Sequence, residues 1–108
     1  QAAGWRERMD EMIDRRANAF EQMLPIKTAA DARRYTSDFL RGEHRNVTRL
    51  QRETLRAVAP ANVANGETLE ALDLGLSFEA WRRLRHDQGL SVKQAKAVLR
   101  RLVSALVG

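Results

Sequence analysis

The sequence of 108 residues contains no cysteine, two prolines and six glycines. Without cysteine there is no disulfide framework and no thiolate metal site, a composition suited to a reducing cytosol. Runs of β-branched residues are missing too, while Ala, Leu, Arg and Glu are abundant, so helix propensity is favoured nearly throughout. No apolar run approaches the roughly 20 residues needed to span a bilayer, and the start of the chain lacks the charged-then-apolar order of a signal peptide. These absences predict a soluble, cytoplasmic, all-α protein with no membrane partner. Chemical motifs are equally scarce: there is no Gly-rich phosphate loop, no Gly-x-Ser-x-Gly elbow and no thiol nucleophile. His44 and His86 have neither Glu-x-x-His nor His-x-x-x-His spacing, so no metal site, cofactor or enzymatic activity is expected.

What is present is a 44% apolar content, enough for the core of one domain over residues 1–108. The net charge of +5 is dispersed: residues 1–54 hold 11 Lys/Arg against 9 Asp/Glu, and residues 55–108 hold 8 against 5. Such a surface is mildly basic without forming a DNA footprint. The pairs Arg15-Arg16, Arg33-Arg34, Arg82-Arg83 and Arg100-Arg101 are interspersed with acids and read as a solvated surface. Because the chain begins at Gln1 rather than Met, further sequence is expected upstream.

Helical periodicity divides the chain into about five helices. Trp5, Met9, Met12, Ile13, Phe20, Met23 and Leu24 recur on one face of a first amphipathic helix, which Pro25 is expected to end or kink. A short helix is expected from Thr28 to near Tyr35. Thr36 or Ser37 caps the next, running to about Val58 with Phe39, Leu40, Val47, Leu50, Ala57 and Val58 on its apolar stripe. Asn65 is the expected cap of a long helix over residues 67–88. Gly89 then supplies a left-handed stop, with Leu90 folding back on Leu84, and Ser91 with Gln94 forms a capping box for the last helix, residues 91–107.

Within the 67–88 helix, Leu69, Leu72, Leu76, Ala80 and Leu84 make one stripe, while Leu74, Phe78 and Trp81 make another nearly opposite. The last helix presents Val92, Ala95, Leu99, Leu102 and Leu106 on a wide face. A helix apolar on two sides needs partners on two sides. Two arrangements meet that need: an intermolecular four-helix bundle in a homodimer, or a fourth helix that is central in a monomer.

The segment LDLGLSFEAWRRLRHDQGLSVKQAKAVLRRLVSALV, Leu72 to Val107, resembles the last two helices of TetR-family transcriptional regulators, and RRANAFEQMLPIKTAA, Arg15 to Ala30, resembles a segment of their effector domain. The resemblance implies an antiparallel helical bundle that dimerises through its last two helices and binds a small effector among its middle helices. It also implies DNA binding through an N-terminal helix-turn-helix, and that module and its closing Tyr-x-x-Phe are not recognisable here. On this reading the chain is the effector-binding and dimerisation domain, and effector binding shifts helix packing so that the absent DNA-binding heads separate and release the operator. The alternative is a helical dimerisation or scaffold module with no small-molecule ligand.

The candidate pocket consists of Met9, Met12, Ile13, Arg16, Phe20, Met23, Tyr35, Phe39 and Trp81. Met-rich aromatic linings adapt to varied apolar ligands, although the same stripe serves equally as plain core. Arg16 is the anomaly, since it falls inside the apolar stripe of the first helix. A buried charge needs a partner, so Arg16 either meets a polar or anionic effector, pairs with Glu43, which falls similarly on the third helix, or snorkels to the surface.

Overall fold

A computed structural model describes residues 4–33, 37–63 and 66–107, with the side chains of residues 27–33 left out of account. Among the described residues there are five α-helices and no strand. Helix α1 spans Trp5–Arg33, α2 Asp38–Val58, α3 Gly66–Gly75, α4 Phe78–Arg82 and α5 Val92–Val107. A 3₁₀ turn, Ala61–Val63, precedes α3, and a π-helical turn, Arg83–Asp87, extends α4. The long axis of the molecule, 43 Å, matches the length of the 29-residue α1 at about 1.5 Å per residue. Helix α1 is the spine of the fold and packs against α2, α4 and α5.

The apolar stripe of α1 faces inward as its periodicity predicts: Trp5, Met9, Met12, Ile13, Phe20 and Leu24 are buried, and Met23 is half-buried. They join Leu55 of α2, Leu69 and Leu72 of α3, Leu76, Phe78 and Trp81 around the α3–α4 junction, and Ala95, Leu99 and Val103 of α5 in one core. The rings of Phe20 and Phe78 meet edge to face at 5.5 Å, a favourable aromatic geometry.

Pro25 does not end α1, which continues to Arg33, so no separate short helix starts at Thr28. Proline removes one i→i−4 hydrogen bond and crowds the carbonyl of residue 21. Pro25 lies on the exposed side of the helix, where water can hydrate the carbonyl it leaves behind. Tyr35, Thr36 and Asn65 lie outside the described residues.

Local signals set the remaining boundaries. Ser37 caps α2 by accepting from the Leu40 amide at 3.2 Å. Ser91 and Gln94 form the expected reciprocal box: the Gln94 amide donates to Ser91 Oγ at 3.1 Å, and the Ser91 amide to Gln94 Oε1 at 3.0 Å. Gly89 adopts φ +67°, the left-handed conformation a helix stop requires. The π turn widens that stop, because the Gln88 amide donates to the Arg83 carbonyl and the Leu90 amide to the Leu84 carbonyl.

The principal departure lies at Leu76–Ser77, where the expected 67–88 helix breaks into α3 and α4. Ser77 caps α4 by accepting from the Ala80 amide at 3.1 Å, while its hydroxyl donates to the Leu74 carbonyl at 2.7 Å. The break resets helical phase. Leu69, Leu72 and Leu76 before it, and Phe78 and Trp81 after it, therefore all face the same core rather than opposite sides.

Candidate functional site

Beside this break, α1 and α2 flank an open cleft of about 320 Å³. Its apolar walls are Phe20 and Met23 from α1 and Val47 and Leu50 from α2. Ala19, Gln51 and Thr54 complete the neutral lining, and Arg15 and Arg16 bring two guanidinium groups to it. The cleft exists because α2 buries Leu55 completely but leaves Leu50 at 64% and Phe39 at 72% exposure. On α2, residues 39, 43, 47, 50 and 54 follow one another at helical spacing, so Phe39 prolongs the face that carries Val47 and Leu50.

Arg16 is the one buried charged residue among those described, at 9% exposure. Its Nη1 donates to the Leu76 carbonyl at 3.0 Å and its Nη2 to the Gln51 carbonyl at 2.7 Å. The first bond follows from the helix break. In an unbroken helix the Leu76 carbonyl accepts from the Ala80 amide, but that amide is taken by Ser77 Oγ, and Arg16 replaces it. A carbonyl has two lone pairs, so Gln51 can accept from Arg16 without leaving the α2 ladder. Arg16 thus ties α1 to both α2 and the α3–α4 junction. Glu43 is exposed on α2, and the partners that Arg16 grips are backbone carbonyls instead. Burial lowers the pKa of Arg16, and the nearby charge of Asp73 partly opposes that shift.

A second polar cluster lies further along α1. Glu21 accepts from Trp81 Nε1 at 2.8 Å and from Arg85 Nε and Nη2 at 2.8 and 3.0 Å, while Arg85 Nη1 donates to the Leu90 carbonyl at 2.7 Å. The Arg85 bonds, with a smaller contribution from Trp81, hold the Glu21 carboxyl below the usual carboxylate range. This fork–fork pair fastens the π turn and the Gly89 stop to α1. On the outer side of α2, Arg52 bridges Glu70 at 2.7 Å and Asp73 at 3.1 Å. Arg45, Arg49 and Arg56 share the shelf beside it. That shelf is lined by one helix alone and has no facing wall.

The sequence-derived pocket residues separate into groups. Arg16, Phe20 and Met23 line the α1–α2 cleft. Met12, Ile13 and Trp81 are at 0–1% exposure inside the core, because α1 turns that face toward α4 and α5. Met9, also buried, lies under a separate hollow beside Trp5 and Arg100. Phe39 points out of the fold, and Tyr35 is outside the described residues. Periodicity did not select Arg15, Val47 and Leu50 as lining residues. The signal that was available is the expected α2 stripe itself, of which Phe39, Val47 and Leu50 stay outside the core cluster.

The residues expected at a dimer interface also divide. Leu69, Leu72, Leu76, Leu84, Ala95 and Leu99 are already buried within a single chain, since the break at Ser77 lets the first stripe and Phe78 and Trp81 of the second find partners internally. Ala80, Val92, Leu102 and Leu106 are half-buried. Around the α3–α5 contact the exposed large apolar residues among those described are Leu74, at 73%, and Val98, at 42%. Gly75 lies close against Leu102, and a Cβ at this position would make the end of the Leu102 side chain shift. No helix among the described residues is long and apolar enough to cross a membrane, and no three acidic or histidine side chains gather there as a metal set.

No family model matches the chain, and no curated protein or solved structure matches it.

Proposed function

We propose that the chain is the ligand-sensing and dimerisation domain of a TetR-like transcriptional regulator, with operator binding assigned to a helix-turn-helix outside this sequence. The observation that carries the reading is the α1–α2 cleft, whose apolar walls adjoin a buried arginine bonded to the α3–α4 junction. A ligand there touches the residue that joins three parts of the bundle. It therefore has a physical route to the packing of α3 against α5. The resemblance over Leu72–Val107 supplies the regulatory context. On this reading the homodimer uses the outer edge of the α3–α5 pair, with Leu74, Val98, Leu102 and Leu106, rather than the leucines closed inside the core.

A thermal-shift screen of small apolar and amphipathic compounds tests the sensing role. Saturation at a hundredfold excess over Kd contributes about 2.7 kcal/mol, which raises Tm by roughly 10 °C in a domain this size. The rise must depend on ligand concentration and disappear when Leu50 is replaced by aspartate. If no compound shifts Tm, the second reading takes its place: a helical self-association module without a ligand. The exposure of Leu74 and Val98 supports self-association under this reading as under the first. Loss of self-association in Leu74→Lys would then be its positive sign.

A further inference from the structure

We infer that the α1–α2 cleft is built for an amphipathic carboxylate, a small organic acid whose apolar body lies between the two helices and whose carboxylate faces Arg15 and Arg16. This rests on the ligand-sensing reading above and narrows it to one chemical class. The cleft's apolar walls, Phe20, Met23, Val47 and Leu50, account for a hydrocarbon or aromatic body. The two arginines account for the head group, for among the described lining residues there are two cations and no acid.

Arg16 retains attraction for an anion despite its two hydrogen bonds. Both acceptors are neutral carbonyls, which satisfy donors without cancelling charge. The carboxylate that acts on it electrostatically is Asp73, which is itself in a salt bridge with Arg52 at 3.1 Å and lies outside the cleft lining. A guanidinium in such a setting directs positive potential into the apolar groove beside it, and its own burial shields it more from water than an exposed arginine would be. Arg15, its exposed neighbour, lies at the same cleft and offers a fork of donors free to reorient toward a carboxylate. An apolar cation is repelled by the same pair, and a neutral apolar compound gains only the wall contacts.

Calorimetric titration of the full chain with decanoate, octanoate and decanol, each kept below its aggregation limit, tests this. Decanoate is expected to bind at least about tenfold tighter than decanol, the contribution of a charge-assisted hydrogen bond. Octanoate should bind more weakly than decanoate by about fourfold for each methylene removed. Arg16→Gln should abolish the preference for decanoate over decanol. Because that variant also loses a structural bond, the deciding pair is Leu50→Lys against Leu50→Glu at an exposed position. Decanoate should bind the lysine form at least about tenfold more tightly than the glutamate form, with decanol indifferent between them.

Decanol binding as well as decanoate, or equal decanoate affinities for the two Leu50 variants, would overturn the carboxylate assignment and leave a ligand-sensing cleft of other specificity. Absence of binding by all three probes overturns the carboxylate class, and absence of any hit in the wider screen removes the sensing reading as well. If Leu50→Glu dissociates a dimer and no acid binds, the cleft belongs to a second copy of the chain and the proposal is refuted.

Discussion

Replacing Arg16 by methionine sets two opposing contributions against each other. The guanidinium is costly to bury, and substituting well-packed apolar groups for buried charge is often neutral or stabilising by about 1–4 kcal/mol. Against that, Arg16 supplies the bond that the Leu76 carbonyl lacks because the Ala80 amide is committed to Ser77. Leaving a buried carbonyl without a donor costs about 1–3 kcal/mol, and a hydrogen bond from a charged donor contributes about 1.5–3 kcal/mol. The bond to Gln51 adds to this at 2.7 Å, the shorter of the two. Methionine conserves most of the aliphatic volume, so cavity formation contributes little. The structural contribution wins, because the charge keeps two acceptors and its 9% exposure leaves some access to water, which reduces the burial cost. The expected net loss is about 2 kcal/mol. With a urea m-value of about 1–2 kcal/mol/M, the unfolding midpoint falls by about 1–2 M. Equilibrium unfolding followed by tryptophan fluorescence and by circular dichroism measures this, and coincident transitions establish two-state behaviour. A methionine variant as stable as the parent, or more so, refutes the view that Arg16 fastens the α3–α4 junction.

Two further perturbations probe the same architecture. Ser77→Ala removes the cap of α4 and its hydroxyl bond to Leu74, with an expected loss of about 1 kcal/mol in urea unfolding. A loss within error would mean the break is imposed by packing alone. For Glu21, the folded pKa is held below the unfolded value of about 4.3, so its contribution is fully present above that value and is lost as pH falls through the folded pKa. The stability difference between the parent and Glu21→Gln should therefore be constant from about pH 7 to 5 and shrink on further acidification. A difference independent of pH down to 3 would show that the Arg85 pair contributes nothing electrostatic.

Features encoded over three or four residues were legible in the sequence. A cap at Thr36 or Ser37, the Ser91–Gln94 box, the Gly89 stop and the buried stripe of α1 each follow from local chemistry or a single period. Arg16 stood out for the same reason, since a charge inside an apolar stripe breaks the period. The break at Ser77 was missed although Gly75 and Ser77 together make a stop and a start two residues apart; the heavy apolar content around them masked it. Pro25 misled in the other direction, because the proline rule removes a hydrogen bond without forbidding an exposed helix from continuing. What local reading could not reach was that α2 buries Leu55, outside the expected stripe, and leaves Phe39 and Leu50 of that stripe exposed. Leu55 enters the core and Leu50 does not because α1 and α3 approach from one side, and that depends on the whole arrangement.

The break also changes the argument for self-association. Two opposite apolar stripes on one continuous helix demand a second partner, but two short helices with different phases do not. Leu72 and Trp81 face the same interior, so the demand for a second chain falls to the strip containing Leu74 and Val98. The same break creates an orphan carbonyl at Leu76, and Arg16 answers it from the cleft side. Any ligand that draws Arg16 toward a carboxylate weakens its hold on that carbonyl, and α3 is the helix that packs on α5. On the proposed reading, the cleft and the dimer edge communicate through the Arg16 guanidinium. A double-mutant cycle can measure that coupling: Arg16→Met combined with the milder Leu74→Ala should depart from additivity in the ligand's effect on self-association if the path runs through Arg16. Strict additivity would place the coupling elsewhere in the bundle.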